Sequence, residues 1–333
     1  MTFRALQRNV PFLATATVCV LLYVAASLRY SGFASLPVFV NFFGDNAFLG
    51  IAAIGMTFVI LSGGIDLSVG GLAALITVLC GVLIEKQNLH PALCIPLLLL
   101  VGILFGTAMG AVIHFFALPP FLVTLAGMFL ARGLAYALQL ESIQIKHYLD
   151  SIEGALHLRL GPSIELRAAP VIFLSVFVVA VWIVHWTRLG RNVYAIGGNE
   201  QSAVLMGLPV ARTKVAIYAL SGLCSAIVGI VYSLDTLSAN PNALGGLELD
   251  AIAAVVIGGT LLSGGVGFVA GTMVGLLILG IIQSAIAFDG RLNSWWTRIA
   301  IGFLLLVFIL LQKLIQAKKF RTARTFQTTA HPR

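Results

Sequence analysis

The stretch ILSGGIDLSVGG, residues 60–71, interrupts an apolar run with paired glycines and a carboxylate. Because a glycine weakens a helix by about 1 kcal/mol relative to alanine, Gly63 and Gly64 predict a helix break. Asp66 follows closely, and a charge or an irregular backbone at membrane depth must face the interior of a bundle or water. We favour close helix packing through small residues, with Asp66 capping the helix that begins near Leu67. Direct contact between Asp66 and a substrate is the alternative.

The composition places this stretch in a membrane protein. Of the 333 residues, 59% are hydrophobic and only 10% are charged, with a mean hydropathy of +1.03. Soluble domains are about one quarter charged, so most of this surface must face lipid. The four cysteines and six histidines show no paired spacing, which disfavours a disulfide frame or a metal site. We expect no catalytic, metal-binding or cofactor-binding residues in the chain.

The hydropathy pattern predicts an all-α polytopic bundle of about ten transmembrane helices, forming one domain over residues 1–333. Glycine clusters, instead of polar loops, separate the second span from the third and the eighth from the ninth. The first span could be a signal peptide, but its apolar run is long and no clear cleavage site follows, so we favour a retained span. The predicted spans are 10–30, 45–62, 69–85, 91–114, 119–140, 169–187, 213–233, 248–262, 267–288 and 295–313.

The basic residues are distributed unevenly between the two sides of this topology. The termini and the connection 187–213, with Lys214 and Lys313 at the adjoining span ends, fall on one side and hold 12 of the 20 basic residues, with Glu200 as their only acid. The longest polar loop, 141–167, falls on the other side and is nearly neutral. The positive-inside rule therefore predicts cytoplasmic termini, including a tail over 314–333. Topology and anionic lipid explain the net charge of +8, so nucleic-acid binding is disfavoured. The 12 residues are Arg4, Arg8, Arg188, Arg191, Arg212, Lys214, Lys313, Lys318, Lys319, Arg321, Arg324 and Arg333.

The letters LSGG occur twice, at 61–64 and 262–265, and match part of the LSGGQ signature of ATP-binding-cassette (ABC) ATPases. Such an ATPase also needs a phosphate-binding loop in which a lysine follows a glycine, and no lysine here follows a glycine. Both copies lie in apolar runs, where a nucleotide could not be solvated. We therefore expect no ATPase site in this chain.

The two copies share their surroundings as well. A shift of 201 residues gives eight identities over 51–71 without a gap and predicts an internal repeat. Transporter repeats often bring interrupted helices to the translocation route. By the span count the copies run parallel in the membrane, and Gly267 stands where the first copy has Asp66. The predicted pathway or broken-helix residues are Ser62, Gly63, Gly64, Asp66, Ser263, Gly264 and Gly265.

The predicted cytoplasmic connection between spans six and seven, 188–213, contains another glycine pair. Gly197 and Gly198 predict a chain break, and Asn199 is a good N-cap for a short helix that Gly207 ends. Its apolar residues are Ala203, Val204, Leu205 and Met206. They are too apolar for a free loop, which leaves an amphipathic turn on lipid headgroups or a docking helix for a soluble partner.

Three motifs together resemble one family. YAIGGN at 194–199, GGIDLSVG at 63–70 and ELDAIAAVVIGGTLLSGGVG at 248–267 are similar to signature stretches of the membrane permeases of ribose- and galactoside-type ABC sugar importers. The motifs are spread along the chain, so the resemblance covers most of it. Within this family, the chain resembles the permeases of galactofuranose importers in particular. The family commonly has two alanines after GGN, where this chain has Ser202 and Ala203.

The resemblance implies a permease subunit that moves a monosaccharide of galactofuranose, ribose or galactose type into the cytoplasm across a bacterial inner membrane. It implies three partners: a second permease subunit, with a heterodimer favoured over a homodimer, a cytoplasmic ABC ATPase that binds the ATP, and a periplasmic sugar-binding protein. The implied ATPase-coupling residues are Gly197, Gly198, Asn199, Glu200, Gln201, Ser202, Ala203, Met206 and Gly207. A stand-alone ion-coupled transporter or channel is the alternative, with Asp66 or Glu248 carrying the coupling ion, but it does not require a docking helix.

The remaining charges within apolar segments are interpreted as structural. Arg132 lies deep in the fifth span, at a cost of about 2.5–3.5 kcal/mol on insertion scales. Snorkelling to the interface and an ion pair with Glu248 or Asp250, at the start of the eighth span, are both open. Trp295 and Trp296 begin the last span. Paired tryptophans there are typical of the membrane interface, although aromatic rings also suit the faces of sugars.

Overall fold

The computed structural model describes residues 3–148, 157–161, 164–293 and 295–329, and side chains over 12–148, 168–293 and 295–313. The side chains of residues 149–167, most of the predicted polar loop 141–167, and of the predicted tail 314–333 lie outside these described ranges.

Helices form almost all of the described chain. The α-helices are α1 (Phe3–Arg29), α2 (Leu36–Asp45), α3 (Ala47–Leu61), α4 (Ser68–Gly81), α5 (Pro91–Phe115), α6 (Pro120–Leu138), α7 (Ala168–Trp186), α8 (Arg188–Gly198), α9 (Glu200–Leu205), α10 (Val210–Asp235), α11 (Leu247–Ile257), α12 (Val269–Asp289) and α13 (Trp295–Thr329). A π-helical turn, Val82–Lys86, extends α4. Two short antiparallel pairs join β1 (Ile143–Gln144) to β4 (Ser238–Ala239) and β2 (His157–Gly161) to β3 (Ile164–Arg167).

Eight helices within the described residues are long and apolar enough to cross a membrane, or nine if the pair α2 and α3, bent by 55°, is one broken span. This confirms the predicted all-α polytopic fold. The eighth predicted span, 248–262, is wrong in length. Its helix α11 has 11 residues and reaches only about 16 Å. It ends because Gly258 starts a turn that Gly259 continues with a positive φ of +93°.

Helix α10 occupies the centre of the bundle and packs against α3, α4 and α5. Its contact with α5 is made by small residues. A Cβ built on Gly102 would lie 2.6 Å from the carbonyl oxygen of Gly222, and one on Gly106 would overlap the carbonyl oxygen of Tyr218. Spacing of glycines by four residues lets two helix backbones touch, which replaces the hydrophobic driving force that lipid does not supply.

The first broken element is a helical hairpin of α3 and α4 laid against α10. Along α3, the rings of Phe48 and Tyr232 pack edge to face with centroids 5.5 Å apart, and the later Gly64 adjoins the Tyr218 hydroxyl, so α3 runs opposite to α10. Along α4 the direction reverses, because Thr77 donates a 3.2 Å hydrogen bond to the Gly229 carbonyl. The turn 62–67 therefore joins two antiparallel helices.

The second broken element, α11 and α12, has the same arrangement. Gly271 at the start of α12 packs on Gly258, and Gly275, one turn later, packs on Ala254. The shift of 201 residues that relates the copies maps the first residue of α4, Ser68, onto the first residue of α12, Val269. Both hairpin turns, 62–67 and 258–268, lie together, so the copies are parallel.

We call the end of the bundle that holds these turns the turn end, and the opposite end the far end. The beginning of α1 lies at the turn end, where the rings of Phe12 and Phe268 pack edge to face with centroids 6.4 Å apart. The later part of α13 returns to it, because Gln312 Nε2 donates to the Thr260 carbonyl at 3.3 Å. The first and last helices, α1 and α13, therefore bring both ends of the chain towards one side, as the span count predicts.

Candidate functional site: a glycine junction beneath an exposed helix

Three glycine pairs meet at the turn end, one from each motif singled out in the sequence. The amide of Gly265 donates a 2.9 Å hydrogen bond to the carbonyl oxygen of Leu61, which joins the second LSGG copy to the first. A Cβ built on Gly197 would overlap that same Leu61 carbonyl oxygen. A Cβ on Gly264 would lie 2.7 Å from the amide nitrogen of Gly63. We call this backbone contact of 61–64, 197–198 and 264–265 the glycine junction.

A tyrosine of α8 holds the second turn in place. The hydroxyl of Tyr194 donates a 2.8 Å hydrogen bond to the carbonyl oxygen of Gly267. Gly267 is the position that corresponds to Asp66 in the first copy, so the two turns are secured by different means. The first is held by its own carboxylate and the second by a side chain from α8.

Helix α8 forms the first part of the connection 188–213, in which the sequence predicted only the short helix after Asn199. The Thr187 hydroxyl caps it by accepting from the Gly190 amide at 3.3 Å, and its buried residues Gly190, Val193 and Ile196 form one face. Gly197 and Gly198 are its last residues, and the break falls on Asn199, whose φ and ψ of −161° and 109° are extended. Position 197 requires glycine because its backbone approaches the Leu61 carbonyl oxygen too closely for a side chain.

The predicted short helix is confirmed as α9, Glu200–Leu205. The side-chain oxygen of Asn199 accepts from the Ser202 amide at 2.8 Å, and Gly207 ends the helix with a φ of +74°. Glu200 forms an ion pair with Lys214 of α10 at 2.7 Å.

Helix α9 presents an apolar surface to its surroundings. Ala203 is fully buried against Ile196 and Val210, and it anchors the helix to α8 and α10. The three residues that follow are Val204, Leu205 and Met206, and they are 56%, 87% and 67% exposed. Gln201 and Ser202 are exposed beside them. We call Gln201, Ser202 and 204–206 the α9 surface.

Asp66 is almost completely buried in the first turn. One of its carboxylate oxygens accepts from the Ser68 amide at 2.9 Å and from the Ser68 hydroxyl at 2.6 Å. The other accepts from the Ser221 hydroxyl of α10 at 2.7 Å. These bonds cap the start of α4, as the favoured interpretation expects, and tie the turn to the central helix.

The other predicted broken-helix residues lie in or beside the junction. The hydroxyl of Ser62 donates to the Val59 carbonyl at 2.7 Å, closing the last turn of α3. The carbonyl oxygen of Ser263 lies 3.6 Å from a Cβ built on Gly63. The turn is also bonded to α6, because the Thr124 hydroxyl accepts from the Leu67 amide at 3.1 Å.

In the second copy the helix ends earlier than the alignment of the repeats predicts. Helix α11 stops at Ile257, whereas LSGG at 262–265 lies in the turn beyond it. Gly258 and Gly259 stand where the first copy has Thr57 and Phe58, so the second copy has an earlier glycine pair at which the helix can end. The first LSGG therefore terminates a helix, and the second lies within a longer turn.

Arg132 does not form the predicted ion pair with Glu248 or Asp250. Its guanidinium donates to the carbonyl oxygens of Pro241 and Ala243, both at 2.9 Å, in the loop before α11. Among the described side chains, neither Glu248 nor Asp250 is within ion-pair distance of it. The backbone carbonyls of a tight loop satisfy the cation, which the sequence did not reveal. Glu248 is buried beside Gly70, with its Oε2 atom lacking a hydrogen-bond partner.

The fold is that of a multi-pass membrane protein, and comparison with known proteins identifies its class as a permease. Residues 38–309 match the family described as branched-chain amino acid transport system / permease component, and this chain belongs to that family. No solved structure matches it.

Curated relatives cover nearly the whole chain. The inner membrane ABC transporter permease protein YjfF of Escherichia coli K12 is 48% identical over 92% of this chain and 93% of its own length. The fructose import permease protein FruG of Bifidobacterium longum is 37% identical, with 95% and 94% covered. The ribose import permease protein RbsC of Bacillus subtilis is 36% identical, with 92% and 93% covered. These relatives confirm the resemblance to permeases of ABC sugar importers.

Proposed function

We propose that this chain is a permease subunit of an ABC importer for a monosaccharide, and that a separate ATPase docks on the α9 surface. The observation that carries the proposal is the position of this surface. It lies one residue beyond α8, whose last turn contacts both broken hairpins, so a movement of α9 reaches the two turns through rigid backbone contacts. Nucleotide-driven closure of the ATPase can then bias a two-state bundle.

The partners and substrate follow from the class of importer. Relatives named for ribose and fructose import support a monosaccharide, and the sequence resemblance favours one of galactofuranose type. We propose a second, different permease subunit as the partner in the membrane, and a periplasmic binding protein that delivers the sugar. ATP is bound by the ATPase, and this chain contributes no nucleotide site of its own.

The turn end faces the cytoplasm in this proposal, with both termini on that side of the bacterial inner membrane. Ser202 of the α9 surface and Asn242 of the far-end loop are both exposed, which offers a matched pair. We expect Ser202→Cys to react with a membrane-impermeant maleimide only in inside-out vesicles, and Asn242→Cys only in intact spheroplasts. The wild-type chain measures the background from its own four cysteines. The opposite labelling pattern would reverse the orientation.

Docking on the α9 surface predicts that Leu205→Asp separates the permease from its ATPase. Burying a leucine contributes about 1.5–3 kcal/mol, so the ATPase recovered with the tagged permease is expected to fall at least about tenfold. Leu140, 77% exposed at the far end, supplies the control Leu140→Asp, which leaves recovery unchanged. Full recovery of the ATPase with Leu205→Asp in correctly inserted protein would exclude this surface and leave contact with lipid headgroups as its role.

An ion-coupled carrier is the second candidate, and the unpartnered buried carboxylate oxygen of Glu248 is the observation that favours it. The two candidates differ in what drives uptake. In proteoliposomes the importer requires ATP and its ATPase, whereas the carrier requires only a proton or sodium gradient. Uptake that persists without ATP while a gradient remains would overturn the importer.

A further inference from the structure

A polar cavity opens at the far end of the bundle, away from the glycine junction. Its volume is about 610 Å³, and it lies between the first turn of α11, the last turns of α12 and the first turns of α13. The polar and aromatic side chains that line it are Asp250, Gln283, Trp295, Thr297 and Arg298. Apolar residues such as Ile286 and Ile301 complete the wall.

The lining suits a small neutral molecule with many hydroxyl groups. The carboxylate of Asp250 accepts hydrogen bonds, the guanidinium of Arg298 donates them, and the amide of Gln283 does both. The indole ring of Trp295 adds a flat apolar surface, against which the C–H face of a sugar ring can pack. Because an acid and a base line the same cavity, neither a strong anion nor a strong cation is favoured over a neutral ligand.

The two neighbouring tryptophans, Trp295 and Trp296, differ in their contact with the cavity. Trp295 lines the cavity, whereas Trp296 does not, although both are well exposed. A location at the membrane interface would explain the exposure of both rings equally. The contact of Trp295 with a polar cavity is what distinguishes it from its neighbour.

The cavity is also connected to the glycine junction by a single element. Asp250 belongs to α11 and Gln283 to α12, the two helices of the second hairpin. The turn of that hairpin contains Gly264 and Gly265 of the glycine junction. A ligand held at the open end of the hairpin therefore touches the same element that α8 contacts at its turn.

We propose that this cavity is a binding site for the transported monosaccharide, at the face where the binding protein releases it. The proposal rests on the importer function above. Trp295 provides the stacking surface, and Asp250, Gln283 and Arg298 bind the hydroxyl groups. The site is the outer contact of the sugar with this subunit.

Uptake by the complete transporter in proteoliposomes tests the site. Trp295→Ala is expected to lower uptake of subsaturating sugar about tenfold, because one lost stacking contact of this size changes affinity by about that factor. Asp250→Asn is expected to lower it similarly, whereas Trp296→Ala stays within about twofold of wild type. The amount of ATPase recovered with each tagged variant measures assembly of the complex, and uptake is compared at equal amounts of assembled complex. Equal uptake by the Trp295 and Trp296 variants would overturn the proposal.

A direct binding measurement separates this proposal from the importer function. The chain has four tryptophans, and replacing Trp182, Trp186 and Trp296 with phenylalanine leaves Trp295 as the only one. We expect ribose, fructose or galactose to change its fluorescence in the purified permease, and Asp250→Asn to weaken that response. A response to anionic lipid vesicles but to none of the sugars would make the cavity a headgroup site and overturn the proposal. Failure of the importer itself would appear instead as wild-type protein without ATP-dependent uptake.

Discussion

Sugar uptake is expected to fall about 10- to 100-fold when Gly197 is replaced by alanine, with the protein still inserted in the membrane. A methyl group at this position would overlap the carbonyl oxygen of Leu61, so backbone must move to make room. Overpacking of this kind costs about 1–3 kcal/mol, and here the displaced atoms belong to both hairpin turns. The measurement is ATP-dependent uptake by the complete transporter, at equal amounts of assembled complex.

The adjacent glycine supplies the control for this prediction. A Cβ on Gly198 would have nothing within 4 Å, and its φ is not in the left-handed region, so Gly198→Ala should transport like wild type. Both positions lie in the last turn of α8 and have the same helix propensity. Equal loss of transport in the two variants would mean that helix ending, and not contact with Leu61, makes this glycine pair necessary. Wild-type uptake by Gly197→Ala would remove the glycine junction from the mechanism.

Asp66→Ala is expected to lower the melting temperature of the detergent-purified permease more than any other single change in the first turn. The substitution leaves the Ser68 amide, the Ser68 hydroxyl and the Ser221 hydroxyl without their shared acceptor. Each buried donor left unsatisfied costs about 1–3 kcal/mol. Asp66→Asn retains one oxygen acceptor for the two Ser68 donors and places an amide donor next to the Ser221 hydroxyl, which can accept, so it is expected to lose less.

The same variants separate the two roles that the sequence leaves open for Asp66. A cap predicts that stability falls and that the residual uptake keeps its wild-type dependence on sugar concentration. Substrate contact predicts normal stability with a raised half-saturating sugar concentration, most clearly in Asp66→Asn. Ser221→Ala, which removes one of the three donors, should resemble a mild form of the first outcome. A wild-type melting temperature for Asp66→Ala would contradict the cap.

The parts of the fold that depend on hydropathy were predictable, because lipid imposes a simple rule on apolar segments. Spans, the short helix α9 and the equivalence of Ser68 with Val269 all follow from local composition or from the repeat. The end of α11 was the exception. A run such as AVVIGGTLLSGG reads as one apolar segment, and whether Gly258 or Gly264 ends the helix depends on packing against α12.

The glycine junction could not be predicted from the sequence, for a different reason. The sequence predicts a break at each glycine pair, but contact between the pairs is decided by tertiary packing of distant segments. Helix α8 had a detectable signal, since Leu189, Val193 and Ile196 recur at helical spacing among polar residues. The glycine pair at the end of α8 predicts a chain break, and this prediction outweighed the helical spacing of the residues before it. The carbonyl partners of Arg132 had no sequence signal, because any residue could supply them.

The bond between Leu61 and Gly265 also has a consequence for how the protein is made. Gly265 follows Leu61 by 204 residues, so the ribosome, adding about 5–20 residues each second, completes the pair roughly 10–40 s after it makes the first partner. Until then the carbonyl oxygen of Leu61 lacks that donor, and a backbone carbonyl left unpaired away from water is costly. The nascent first hairpin must therefore be sheltered, by water or by the insertion machinery, until the last third of the chain arrives.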